Sequence, residues 1–161
     1  MSVHLPAPKE VRDLLAELLG RQVEISFAAP LAPGPESPAT FAVYVDDYLR
    51  VSALMVLDVP LSAYAGAAIG LVPPNVATNA IRWNVLPPLL EENLREVLNV
   101  MVNLFHAGDA DHLRLHVVHP AGGAVPQDVL ARALTLGQRT DVSVDVAGYG
   151  RGTLSVVLVD R

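Results

Sequence analysis

Residues 87–106 read PPLLEENLREVLNVMVNLFH, and their spacing decides how the rest of the chain is read. Leu90, Leu94, Val97, Leu98, Met101, Leu104 and Phe105 recur at the intervals that bring apolar side chains to one side of a helix. This segment is therefore predicted to be the longest helix of the molecule. With Glu92 at zero on a wheel advancing about 100° per residue, Glu96 falls at about 40°, Asn99 at about −20° and Asn103 at about 20°. The four form one polar line opposite the apolar side, with Arg95 and His106 flanking it. A solvated outer face is the ordinary account of such a line. Asn is a poorer helix residue than Lys, Glu or Gln, however, so two asparagines in it invite a functional explanation.

Upstream, Val11, Leu14, Leu15, Leu18 and Leu19 form another apolar stripe, started by Pro8 and stopped by Gly20, which predicts an amphipathic first helix. Val23, Ile25 and Phe27 alternate with polar residues at the period of a half-buried strand. Residues 28–39 carry four prolines and a glycine, too many missing donors for a regular element, and are read as a loop. Residues 41–45 and 51–59 are aliphatic runs around Asp46-Asp47, hence a hairpin. Alanines and glycines over 61–69 suggest a short, closely packed helix, and a polar linker leads on to Trp83. Downstream, residues 113–118 read as a strand and 127–136 as a helix after Pro126. Val142, Val144 and Val146 mark another strand, and residues 154–159 the last one, beyond a glycine-rich turn at 148–152.

The order is α-β-β-β-α-α-β-α-β-β. Hairpins outnumber crossovers, so the expected fold is α+β, a mainly antiparallel sheet with long helices packed on it. A helix followed by strands recurs in each half, a weak internal symmetry without a sequence repeat. At 161 residues a single domain over 1–161 is expected. Hydrophobic residues make up 52% and charged residues 17%, which predicts that more than one face is covered, with a homodimer interface as one cover.

The net charge of −6 works against a nucleic-acid partner, which requires clustered Lys and Arg. No cysteine is present, so disulfides and thiolate metal sites are excluded and a cytoplasmic setting is expected. Residues 1–15 do not read as a signal peptide. The apolar run 63–74 is far short of the roughly 20 residues a membrane span needs, so no membrane insertion is expected. His112 and His116, on one side of the predicted strand with Asp109 and Asp111 upstream, are weighed as metal ligands. With neither Cys nor a helical His-Glu-x-x-His pattern, surface or interface histidines are the preferred account, and no metal site is expected. Gly148 to Gly152 lies between two strands and reads as a hairpin turn, not a phosphate loop. A small-molecule pocket under the helix 61–69 is a further, weaker option.

The helix from Glu92 to Asn103 resembles the active-site helix of the CheC, CheX and FliY phosphatases of bacterial chemotaxis. That family's signature is an Asp or Ser, three residues, a Glu, two residues, an Asn, and a proline a little over twenty residues later. Glu96 and Asn99 have the matching mutual spacing, and Pro120 follows Asn99 by twenty-one positions. The leading helix, the hairpin before a small-residue helix and the closing strand pair resemble the corresponding CheX-like elements. The resemblance implies that Asn99 orients a water for attack on the aspartyl phosphate of a response-regulator receiver domain and that Glu96 contacts a lysine of that receiver. Glu92, Arg95, Asn103 and His106 would belong to the partner-binding surface. The receiver brings its own magnesium, so the chain would need no cofactor or metal of its own. Glu92 stands where the family prefers Asp or Ser, and Val102 and Asn103 where it has small residues. These departures keep open the alternative of a noncatalytic binding or dimerisation module of the same fold.

Overall fold

Val11, Leu15 and Leu19 are the buried side of α1 (Pro8–Leu19), which ends on Gly20 in the left-handed conformation that lets its N–H return to Ala16. The computed structural model containing this helix describes residues 2–159; Met1, Asp160 and Arg161, the ends of the single-domain reading, lie outside the described residues. After α1 come β1 (Val23–Phe27), β2 (Ala39–Val45), β3 (Val51–Asp58), α2 (Val59–Ile69), α3 (Pro74–Trp83) and α4 (Pro88–Met101). A 3-10 turn (Val102–Phe105), β4 (Arg114–His119), α5 (Gln127–Ala133), β5 (Arg139–Val146) and β6 (Gly150–Leu158) complete the chain. The fold is α+β, with one six-stranded sheet in the spatial order β1-β5-β6-β3-β2-β4. Every pairing in it is antiparallel.

The weak symmetry read from the sequence takes a definite form here. Each half contributes a hairpin, β2–β3 or β5–β6, and the two hairpins meet at β3 and β6 in the middle of the sheet. The strand preceding each hairpin crosses to the other one: β1 pairs with β5, and β4 with β2. The halves are thus interlocked, since each outer strand depends on hydrogen bonds to the other half.

One face of the sheet packs against α1, α2 and α4 through the larger core, which includes Tyr44, Met55, Leu57, Val142, Val144 and Leu154. The opposite face is covered in part by α5 and the proline-rich loop, over Phe41, Val43, Leu54, Val56 and Val157. That loop is tied down where Leu31 N–H donates to Ser155 Oγ at 3.2 Å. Both faces of β2 and β3 are therefore buried, which accounts for their continuous apolar runs. β5 alternates instead: Val142, Val144 and Val146 are buried while Asp141, Ser143 and Asp145 are half-exposed on the far face.

Three segments differ from expectation. The stretch read as a polar linker to Trp83 holds α3, whose Val76, Ala77, Ala80 and Ile81 recur at helical spacing, with the two alanines buried and Val76 and Ile81 packed against the core. The long helix does not stay α-helical to His106; it tightens into the 3-10 turn after Met101. The helix starting at Gln127 stops at Ala133, short of Leu136, because the Arg139 guanidinium reaches back to the Ala133 and Thr135 carbonyls at 3.0 and 2.7 Å. Arg139 also forms a two-pronged pair with Asp141 at 2.9 Å on each prong.

α2 is apolar all round because it is central, packed against the sheet, α1, α3 and α4. Asp58 caps its start by accepting from Leu61 N–H at 2.9 Å and, with the other oxygen, from Thr153 N–H of β6 at 3.1 Å. A side chain at Gly152 would strike the Leu61 backbone, so β6 can pass this close only with glycine there. At the far side of α2, a Cβ on Gly66 would lie 2.6 Å from the Leu90 carbonyl oxygen of α4. The void left among α1, α2, α4 and the sheet is only about 10 Å³, too small for the ligand pocket weighed above.

Two stability outcomes follow. Gly66→Ala forces α2 from α4, and overpacking of about 1–3 kcal/mol lowers Tm by roughly 3–10 °C in thermal unfolding, despite alanine's better helix propensity. At the β2–β3 turn, burial works to raise the Asp46 carboxyl. The N–H groups of Arg50 and Tyr48 and the Arg50 guanidinium outweigh it, holding the group down at about 2. A depressed carboxyl stabilises the fold above its unfolded pKa, roughly 3.9, and loses that contribution as pH falls toward 2. Asp46→Asn therefore unfolds at a lower temperature than the parent at pH 7, and the two melting curves converge as pH falls from 4 to 2.

Candidate functional site

Pro88 opens α4 at a position where a missing N–H costs nothing, and Glu91 in the first turn complements the positive end of the helix. Leu90, Leu94, Val97, Leu98 and Met101 are buried, as their spacing predicts. The opposite side is open: Glu92, Glu96, Asn99, Asn103 and Arg95 are all exposed. Among the described residues none of these five side chains makes a hydrogen bond or an ion pair. Glu92 and Glu96 are thus like charges one turn apart that form no ion pair, and such a like-charge pair costs an isolated helix roughly 0.2–0.5 kcal/mol. Asn99 lies three residues beyond Glu96, so their Cβ atoms are about 5–6 Å apart on one ridge.

The buried side of α4 is held from several directions. Tyr44 of β2 donates its hydroxyl to the Leu98 carbonyl at 2.6 Å, one residue before Asn99. Complete burial pushes that phenol well above its ordinary pKa, so it stays a donor. Phe105 meets the Tyr44 ring edge-on at 5.2 Å between centroids. Asn93 sends its amide to the Gly66 carbonyl of α2 at 2.9 Å. Sequence reasoning left Asn93 out. Its signal was a polar residue between the exposed line and Leu90, Leu94 and Val97, facing a predicted small-residue helix. Asn93 fastens the helix, and Glu96 and Asn99 are what it presents.

His106 is placed apart from the exposed line. Its ring is half-buried, with Nε2 2.9 Å from the Leu113 carbonyl and 3.2 Å from the Leu113 N–H. The His112 imidazole stacks on it at 4.5 Å. Asn103 remains exposed although it sits in the 3-10 turn, so the line continues past the end of the α-helix. His112 precedes β4 and does not share a strand face with His116, contrary to expectation, because the strand begins only at Arg114. Among the described residues no group of three or more His, Asp or Glu is placed to hold a metal ion. A larger open recess of about 820 Å³ lies elsewhere, between the β2–β3 turn and residues 110–112, and takes in none of the line on α4. Among the described residues no helix is long and apolar enough to cross a membrane.

No family model matches the sequence, and no curated protein matches it. Solved structures do. The FliM middle domain of Vibrio alginolyticus superposes over 93% of this chain and 86% of its own with a TM-score of 0.58 at 12% identity. The FliM middle domain from H. pylori gives 0.52 at 12% identity over 94% and 84%. A CheX–CheY–BeF3–Mg complex from Borrelia burgdorferi also gives 0.52, at 9% identity over 92% of each chain. At these identities the likeness is one of fold alone: the chain has the fold shared by the FliM middle domain and CheX, with little sequence in common.

Proposed function

We propose that this chain docks α4 on a phosphorylated response-regulator receiver domain and hydrolyses its aspartyl phosphate. The observation that carries the reading is the exposed pair Glu96 and Asn99, free of partners among the described residues, on a helix whose other side is clamped to the core. The likeness of fold to CheX, solved with CheY bearing BeF3 and magnesium, supports it. Asn99 orients a water by accepting a hydrogen bond from it at the amide oxygen, and the water oxygen attacks phosphorus in line, both water protons leaving with the phosphate. The bond from phosphorus to the aspartyl oxygen breaks, releasing inorganic phosphate and leaving the receiver carboxylate. A neutral amide suits this task because it adds no charge beside the phosphoryl group. The reaction needs positioning and charge compensation above all, and the receiver's magnesium supplies the latter.

Glu96 contacts a lysine of the receiver. Glu92, Arg95 and Asn103 extend the contact surface along α4, while His106 supports its end through Leu113. The setting of such a reaction is the cytoplasm. A homodimer joined at the exposed sheet edges β1 and β4 completes the reading; light scattering at micromolar concentration is expected to give twice the monomer mass, and a monomer mass removes it.

The second reading is a binding or dimerisation module that keeps the fold without the chemistry. The tightening of α4 into a 3-10 turn at Val102, where the resembled family has small residues, favours it. The rate of phospho-receiver decay separates the two. Addition of the protein is expected to accelerate decay, with Asn99→Ala losing roughly 10²-fold of the acceleration. Glu96→Ala is expected to weaken the receiver concentration dependence more than the maximal rate. Equal decay with the parent, with Asn99→Ala and with no protein removes the enzyme reading; binding without acceleration establishes the module.

A further inference from the structure

Three large apolar side chains stand in water where α3 hands over to α4: Trp83 is 73% exposed, Val85 62% and Leu89 54%. They fall within seven consecutive residues whose backbone is pinned. Asn84 closes α3 in the left-handed conformation, with its N–H on the Ala80 and Ile81 carbonyls, and Val85 N–H returns to Ala80. Leu86 and Leu90 are buried on either side of Pro87-Pro88, so the exposed residues between and before them are held rigidly outward.

Leu89 also lies on the exposed line itself. On the α4 wheel it falls at about 60° from Glu92, beside Glu96 at about 40°, and seven residues of helix put it about 10 Å from Glu96 along the axis. Leu89 and the polar line are therefore consecutive parts of one surface, and Trp83 and Val85 precede Leu89 by six and four residues of pinned chain. Exposed aromatic and aliphatic side chains are what the energetic centre of a protein interface is made of, and a backbone already pinned lowers the ordering cost of burying them.

Charge decides the occupant. The exposed side of α4 carries Glu91, Glu92 and Glu96 against Arg95, and Arg82 stands before Trp83 at the end of α3, so the surface is net acidic toward α4. A second copy of the chain would bring the same carboxylates opposite these, a repulsive juxtaposition, whereas a protein with an apolar recess rimmed by lysines meets both features at once.

We infer that Trp83, Val85 and Leu89 are the binding anchor for the protein whose phosphorylated site meets Glu96 and Asn99, seating in an apolar recess of that protein beside its cationic rim. The inference rests on the docking reading above and divides the labour along one surface: the anchor holds the partner and Asn99 acts on it. Trp83 is the chain's single tryptophan, so its emission reports the anchor directly.

The full chain is titrated with the single-domain receivers of its own genome, each loaded with beryllofluoride and magnesium, with complex formation read independently by sedimentation. The expected result is that the receiver that binds shifts Trp83 emission to the blue and shields it from iodide. Trp83→Ala and Leu89→Ser each weaken binding roughly 30-fold, and Leu136→Ser, at an exposed leucine outside the surface, leaves binding unchanged. A receiver that binds while Trp83 emission and iodide quenching stay constant overturns the anchor and leaves the docking reading standing. Absence of binding by every receiver overturns both. A parent protein in which Trp83 is already shielded, and which becomes monomeric on Trp83→Ala, assigns the surface to a second copy and overturns the inference.

Discussion

The candidate site depends on the approach of α4 to α2 at Gly66. With a Cβ there the Leu90 carbonyl oxygen would be 2.6 Å away, so the two helices can touch backbone to backbone only because residue 66 has no side chain. The contact fixes α4 along its length as well as across it, since Asn93 donates to the Gly66 carbonyl a turn further on. α2 in turn is wedged against β6 at Gly152 and capped by Asp58, which also holds the Thr153 N–H. A chain of close contacts thus runs from the middle of the sheet to the buried side of α4. The exposed side inherits that rigidity, which a positioning role for Asn99 requires.

The sheet explains why this arrangement cannot be dismantled piecemeal. β1 completes the hairpin of the second half and β4 that of the first, so neither half has its own full set of strand partners. α1 and α4 occupy comparable places, each leading into an outer strand, yet only α4 carries the Glu/Asn line. The symmetry is one of backbone and core packing. The surface chemistry is confined to one half, as expected where a function is grafted on a fold whose stability does not need it.

Much of this was legible in the residues. The apolar stripes of α1 and α4, the alternation in β5, and the runs of β2 and β3 each reflect a side-chain period that burial imposes locally, whereas in β1 only Val23 is buried and Phe27, expected inside, is 86% exposed. The exposure of Glu92, Glu96, Asn99 and Asn103 was legible for the same reason: four polar residues on one line opposite a buried face have to point outward. What escaped were features set by partners remote in sequence. α3 is a different case: Val76, Ala77, Ala80 and Ile81 do recur at helical spacing, a local signal that the reading as a linker passes over. α5 ends at Ala133 because Arg139 satisfies its carbonyls from the next strand. His106 turns inward to Leu113, a choice made by the path of the chain after the helix and not by the helix itself.

By itself the sequence determined most of the secondary elements, the α+β class and the identity of the exposed line, because each follows from interactions among residues a few positions apart. Only the tertiary structure decided which strands become neighbours, that α2 and α4 touch at Gly66, and that Asn93 fastens the helix while Asn99, six residues on, is left open. Asn93 and Asn99 are chemically identical amides on one helix. Their different roles arise from rotation about its axis against neighbours contributed by distant segments, information that exists only once the chain has closed on itself.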